Sequence, residues 1–159
     1  MRKALKLLLA VMLTTGLIAC QKVRVEDDPA EQAKATALAE KYVKAFAEGN
    51  GPLVLEMSTT PFWGDGEIVA SQEELEAALK DQLKDVQELK FTVKEARYLP
   101  LSELKLMMPG LHERLVADKF TEEVHAVVLT LDVDGEQEQG LVLVKRLEDG
   151  MWRVVGIGD

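Results

Sequence analysis

An α+β domain, with helices first and an antiparallel sheet after them, is the fold class that this 159-residue chain predicts. Three observations predict it. Residues 28–48 and 71–86 place apolar side chains three and four apart, the period of a helix face. From Leu89 onward that period falls to two, as in half-buried strands. The pairs Asp134-Gly135 and Asp149-Gly150 then fall between such runs, where hairpin turns call for positive φ at both positions.

Taken in order, Asp28-Pro29-Ala30-Glu31 predicts a helix start: an acidic N-cap, proline at the first helical position and a glutamate placed to reach back as in a capping box. Ala35, Leu38, Ala39, Tyr42, Val43 and Phe46 give this helix one buried face up to Glu48. Gly49-Asn50-Gly51-Pro52 stops it, and Leu53 to Met57 adds a short second helix. Phe62-Trp63, Gly64-Asp65-Gly66 and Ile68-Val69 predict two short strands around a glycine turn. Ser71-Gln72-Glu73-Glu74 is a second capping box, followed by a stripe of Leu75, Ala78, Leu79, Leu83 and Val86. Strands are expected from Leu89 to about Tyr98, then over 124–133, 139–147 and 151–157, the last three forming an antiparallel meander. Pro100 to Phe120, carrying Leu104, Met107, Met108, Leu111 and Leu115, is longer than a hairpin loop and is expected to be partly helical.

The first twenty residues read as an address. Arg2, Lys3 and Lys6 precede an almost wholly apolar run from Leu7 to Ile18, and small Ala19 stands before Cys20, the layout of a secretory signal. A run of about a dozen residues falls short of the roughly 20 needed to cross a bilayer as a helix. Leu17-Ile18-Ala19-Cys20 resembles the lipobox of bacterial lipoproteins, which implies cleavage before Cys20 and lipidation of its thiol. Cys20 is the only cysteine, so no internal disulfide competes for it. The division expected is a signal peptide over 1–19, the lipidated cysteine and a linker over 20–29, and one domain over 30–159. Gln21 stands where an aspartate would resemble an inner-membrane retention signal. The resemblance therefore implies a protein tethered by lipid to a membrane of the cell envelope, the outer membrane facing the periplasm in a Gram-negative host.

Without residues 1–20 the chain keeps 16 basic and 28 acidic residues, a net charge of −12. Such a balance repels nucleic-acid backbones and anionic lipid surfaces, so no nucleic-acid partner is expected. About 140 residues suffice for one domain with a sizeable core.

Tyr42-Val43-Lys44-Ala45-Phe46-Ala47-Glu48-Gly49-Asn50, then Phe62-Trp63-Gly64-Asp65-Gly66, the helix from Ser71 and the closing Gly150-Met151-Trp152-Arg153-Val154-Val155 follow one another in a familiar order. That order resembles the NTF2-like cone, also called SnoaL-like or ketosteroid-isomerase-like, over roughly residues 30–157. The resemblance implies a curved sheet wrapping the helices around a pocket at the open end of the cone. Members of that family include isomerases, cyclases and dehydratases, along with proteins that only bind a ligand or partner, and homodimers through the sheet are common. The Pro100–Phe120 insertion departs from the family pattern and is expected either to cap the pocket or to fill it.

The isomerase branch implies a carboxylate base with tyrosine and acid donors, for which Asp65 and Tyr42 are the catalytic candidates. His125 joins them, since it shares a strand face with Val127, Leu129 and Leu131 and an unperturbed imidazole has a pKa near 6.5, suited to acid or base work. Tyr42, Trp63, Tyr98 and His125 are the candidate ligand-lining residues, with Trp152 as a further aromatic, while His112 is expected at the surface. No cofactor is expected, and no metal either: His112 and His125 stand alone, and zinc asks for three or four close ligands. Asp132-Val133-Asp134-Gly135 resembles the start of a calcium loop, but Gln137 holds the position that requires glycine. Met107-Met108-Pro109-Gly110 reads as core packing ahead of an adaptable binding surface. The expected function is non-enzymatic binding of a small apolar ligand or an envelope protein partner. An isomerase- or cyclase-type enzyme and a homodimerising structural module are the alternatives.

Overall fold

Asp28 opens the first helix by accepting hydrogen bonds from the backbone of Ala30 (3.0 Å) and Glu31 (3.4 Å) on one carboxylate oxygen. The computed structural model describes residues 24–64, 66–86, 90–121 and 123–158. Helix α1 (Pro29–Ala47) buries Ala35, Ala39, Tyr42 and Ala45, and three of these are alanines, so the helix axis can lie close to the sheet beneath it. Glu31 does not complete the expected capping box; it lies on the same stripe one turn earlier and is buried. Gly49, at φ 68°, takes the left-handed conformation that ends α1. The Asn50 side chain then caps α2 (Gly51–Met57) by accepting from Leu53 N.

β1 (Ser58–Gly64) and β2 (Glu67–Val69) pair antiparallel around the glycine turn. Before α3 (Gln72–Val86) the capping box at Ser71 is complete: Ser71 N donates to Glu74 and Glu74 N donates to Ser71 Oγ, each at 3.2 Å. Leu75, Leu79 and Leu83 are buried along α3, each burial worth about 2 kcal/mol. Ala78, expected on that stripe, is exposed, because α3 lies over the short β1–β2 end and only a narrow arc is covered.

β3 (Phe91–Leu99), β4 (Val124–Val133), β5 (Glu136–Arg146) and β6 (Trp152–Gly158) complete a six-stranded sheet of order β2-β1-β6-β5-β4-β3. The sheet is antiparallel, as expected, in every pairing but one: β1 runs parallel to β6, which inserts between β1 and β5. A Cβ on Gly156 of β6 would stand 2.6 Å from the Trp63 carbonyl oxygen, so only glycine fits where these two strands meet. Asp134 and Gly135 both take positive φ, as the tight β4–β5 turn requires. Between β5 and β6 only Gly150 does, because the connection is a three-residue loop closed by Leu147 N donating to Met151 O. Register shifts in β1, β3 and β5–β6 bend the sheet around α1.

The insertion forms α4 (Leu101–Met107) and α5 (Pro109–Ala117). It neither caps nor fills the cone, but covers the opposite face of the sheet. Leu104, Leu111, Leu115 and Phe120 pack there against Ala126, Leu141, Leu143 and Val155, a second core behind the one around α1. The reason lies in the strands: residues alternating with the α1-facing Val127, Val142, Val144 and Val154 are apolar too, so both faces require cover. Met108 joins this second core, while Met107 stays exposed.

Candidate functional site at the two ends of the first helix

α1 spans 19 residues, about 28 Å at 1.5 Å per residue, and each of its ends borders a cleft. At its N-terminal end a cavity of about 570 Å³ is walled by Arg24, Glu26, Glu123, His125, Arg146 and Glu148, with the β5–β6 loop at its rim. Residues Val25–Asp27 form a single 3₁₀ turn here, and Val25 packs against the main core. Gln32 secures that turn by donating to the Glu26 carbonyl oxygen at 2.7 Å.

His125 is brought to this cleft by the alternation of β4. Its Nδ1 lies 2.7 Å from the hydroxyl of Tyr98, which β3 supplies from the neighbouring strand. Behind it Trp152 packs edge-on against the imidazole, 5.4 Å between ring centroids. The indole Nε1 of Trp152 donates to Glu31 Oε2 (3.0 Å), and Glu31 also pairs with Lys34 (2.6 Å) and Arg146 (3.3 Å). These contacts, the Lys34 and Trp152 hydrogen bonds foremost, hold the Glu31 carboxyl below the usual glutamate range. Burial lowers the His125 pKa, against an opposite pull from Glu26 and Glu123. Burial, reinforced by Glu26, pushes Tyr98 up to about 12. At neutral pH the pair is therefore an uncharged phenol against an uncharged imidazole. Either the phenol donates to Nδ1 and Nε2 carries the ring proton, or Nδ1–H donates to the phenol oxygen and Nε2 is a base.

The second cleft, about 250 Å³, opens at the C-terminal end of α1. Val43, Phe46, Leu131, Val133 and Ile157 line it, all half-buried, so apolar surface remains open to a guest. Tyr42 lies beneath, stacked on Phe46 with 6.4 Å between ring centroids. Only 1% of Tyr42 is exposed, and among the described residues its hydroxyl has no partner at full hydrogen-bond geometry, Ser58 lying near it. Its polar neighbour Ser58 donates instead to the Val54 carbonyl oxygen at 2.8 Å. Burial pushes the Tyr42 phenol up to about 12, tempered by Ser58.

Of the residues singled out from sequence, Tyr98 and His125 meet each other, whereas Tyr42 lines the other cleft. Trp63 lines neither: it is buried on the opposite face of the sheet, where Nε1 donates to Asp118 (2.9 Å) and the Arg114 guanidinium lies 5.6 Å from the ring centroid. Asp65 and Cys20 fall outside the described residues. His112 is half-buried on α5. Among the described residues no group of three His, Cys, Asp or Glu side chains is placed to hold a metal ion. Sequence reasoning missed Glu31 as the acceptor for Trp152. The signal was there, since Glu31 precedes Ala35 and Ala39 at four-residue steps on the buried face.

No protein-family profile matches the chain, and no curated protein does. Solved structures do resemble it. A candidate ketosteroid isomerase from Shewanella frigidimarina superposes with a TM-score of 0.53 at 14% identity, over 78% of this chain and 92% of that one. A protein of unknown function with a cystatin-like fold from Nostoc punctiforme gives 0.52 at 11% identity, over 82% and 90%. A candidate dehydratase of the NTF2-like family from Streptomyces avermitilis gives 0.51 at 9% identity, over 80% and 93%. At such identities likeness speaks for the fold alone, and the fold of this chain is the NTF2-like cone, helices packed on a curved sheet.

Proposed function

We propose that the chain is an envelope lipoprotein, anchored through Cys20, whose cone binds a small apolar ligand without transforming it. The observation that carries this reading is the cleft at the C-terminal end of α1: half-buried Val43, Phe46, Leu131, Val133 and Ile157 offer apolar surface, while the proton-transfer candidate His125 lies in the other cleft. A binding cleft and a general base that do not share a cavity suit capture better than catalysis. The covering of the second sheet face by α4 and α5 counts against a module that dimerises through that face.

Fluorescence titration with N-phenyl-1-naphthylamine tests the cleft in the soluble form from Gln21 onward. Saturable binding is expected, and Val43→Trp, which fills the cleft, should weaken it at least tenfold, worth about 1.4 kcal/mol. Unchanged binding in that variant places the ligand elsewhere and overturns the reading. For the anchor, the intact mass of the mature protein should carry acyl chains on Cys20 that Cys20→Ser lacks.

An acid–base enzyme is the second reading, favoured by the uncharged Tyr98–His125 pair bordering a cavity. Proton exchange at the α-carbon of an added cyclic ketone, abolished by His125→Gln, would raise it above the first.

A further inference from the structure

From Cys20 to Arg24 the chain has four residues, which reach at most about 14 Å when fully extended. Arg24 and Glu26 already wall the cleft at the N-terminal end of α1. A domain held by lipid on Cys20 therefore cannot be lifted clear of the membrane at this end; the cleft stays within reach of the headgroup layer. This rests on the reading of Cys20 as the anchor.

The lining of the cleft suits one kind of headgroup. Arg24 and Arg146 supply guanidinium donors, and Glu26, Glu123 and Glu148 supply carboxylates around the same cavity of about 570 Å³. Arg24, Glu26 and Glu148 make no ion pair among the described residues. Glu123 is shared with Lys145 at 3.5 Å, and Arg146 donates its Nε–H to the Gly150 carbonyl oxygen (3.4 Å) with Glu31 3.3 Å from the same nitrogen, which leaves its terminal NH₂ groups as further donors. A phosphate received by the guanidinium groups and an ammonium received by the carboxylates satisfy both signs at once. A purely anionic headgroup would meet only the first, against a mature chain of net charge −12. At the rim, Met151 is half exposed on the β5–β6 loop whose Leu147, Glu148 and Gly150 wall the cleft, a side chain fit for the apolar side of an interface.

We infer that this cleft seats the phosphate-plus-ammonium headgroup of a zwitterionic membrane phospholipid, and so holds the domain with this end on the bilayer and the apolar cleft turned away. The test uses the full lipidated protein in phosphatidylethanolamine-rich or phosphatidylglycerol-rich vesicles. Because Cys20 is blocked, a nitroxide can be placed on Met151→Cys or, at the far end, on Glu138→Cys. Relaxation by oxygen relative to a water-soluble nickel complex reads the depth of each label. In phosphatidylethanolamine the ratio at position 151 should exceed that at 138 about threefold; in phosphatidylglycerol that difference should shrink to what the tether alone imposes, as it should in phosphatidylethanolamine when Arg24→Ala and Glu148→Ala are added. Equal depth at 151 in both lipids, or no effect of the two substitutions, overturns headgroup recognition while leaving the anchor intact. Loss of the protein from the vesicle fraction overturns the anchor, and this inference with it.

Discussion

The two ends of α1 border clefts of opposite character built by the same groove. At the N-terminal end the polar side chains behind the cleft are tied together: Tyr98 to His125, Trp152 to Glu31, Glu31 to Lys34 and Arg146. At the C-terminal end the lining is apolar, and of the buried hydroxyls beneath it Ser58 is spent on Val54 while that of Tyr42 has no partner at hydrogen-bond geometry among the described residues. The difference teaches that the helix supplies a common floor while the strand ends decide the chemistry. A paired network fixes geometry and makes it sensitive to protons. Apolar packing with open surface adapts to a guest.

The largest break in this contrast should come from Trp152→Ala, which removes the indole joining the two halves of the network and opens a cavity in the main core. A loss of about 3–5 kcal/mol is expected in urea unfolding. Next come two tyrosine-to-phenylalanine changes with opposite signs. Tyr98→Phe takes away the His125 hydrogen bond and should cost about 1 kcal/mol. Tyr42→Phe removes a buried hydroxyl that bonds to nothing, and should stabilise the domain by about 1 kcal/mol. If both changes destabilise alike, the Tyr42 hydroxyl has a partner in solution and the contrast between the ends is weaker than described.

The smallest effect is one of pH. His125 binds its proton less readily folded than unfolded. Its contribution to stability is therefore complete above the ordinary imidazole value near 6.5 and is lost as pH falls from there through the lower folded value. Glu31, also lowered, adds a second loss at more acid pH, below 4.5. The tyrosines act the other way: raised to about 12, Tyr42 and Tyr98 favour the fold below pH 10, and that contribution fades as pH climbs from 10 toward 12. Acid sensitivity should thus belong to the N-terminal end and alkaline sensitivity to both. Unfolding midpoints at pH 7.5 and 5.5 should separate in the native chain and draw together in His125→Gln.

Much of this fold was legible because its local signals agree with one another. The Ser71 box, the Asp134-Gly135 turn and the alternation that aims His125 toward α1 each depend on residues close in sequence. What escaped depends on distant partners. Trp63 goes to the far face because β1 is short, carries a register shift and lies parallel to a strand formed only at the C-terminus. The destination of Pro100–Phe120 was hidden because its apolar stripe fits either side of the sheet, and only the residues alternating along β4, β5 and β6 reveal that the second side needs cover. Glu31 looked like a helix cap because its position serves that role, whereas its acceptor role depends on Trp152, which the chain brings back from its far end.

The place of β6 has a consequence for when the molecule can become whole. β6, nearly a hundred residues along the chain from β1, is an interior strand, laid between β5 and β1 with Ser58 opposite Val154. Until residues 152–158 arrive, β1 and β2 have no sheet to join, α1 lacks part of its floor, and Glu31 has no indole to receive. Contacts this remote in sequence form slowly, since most of the chain must be gathered to close them. β6 therefore closes the sheet late in folding, and β1, β2 and the Glu31 network wait on it.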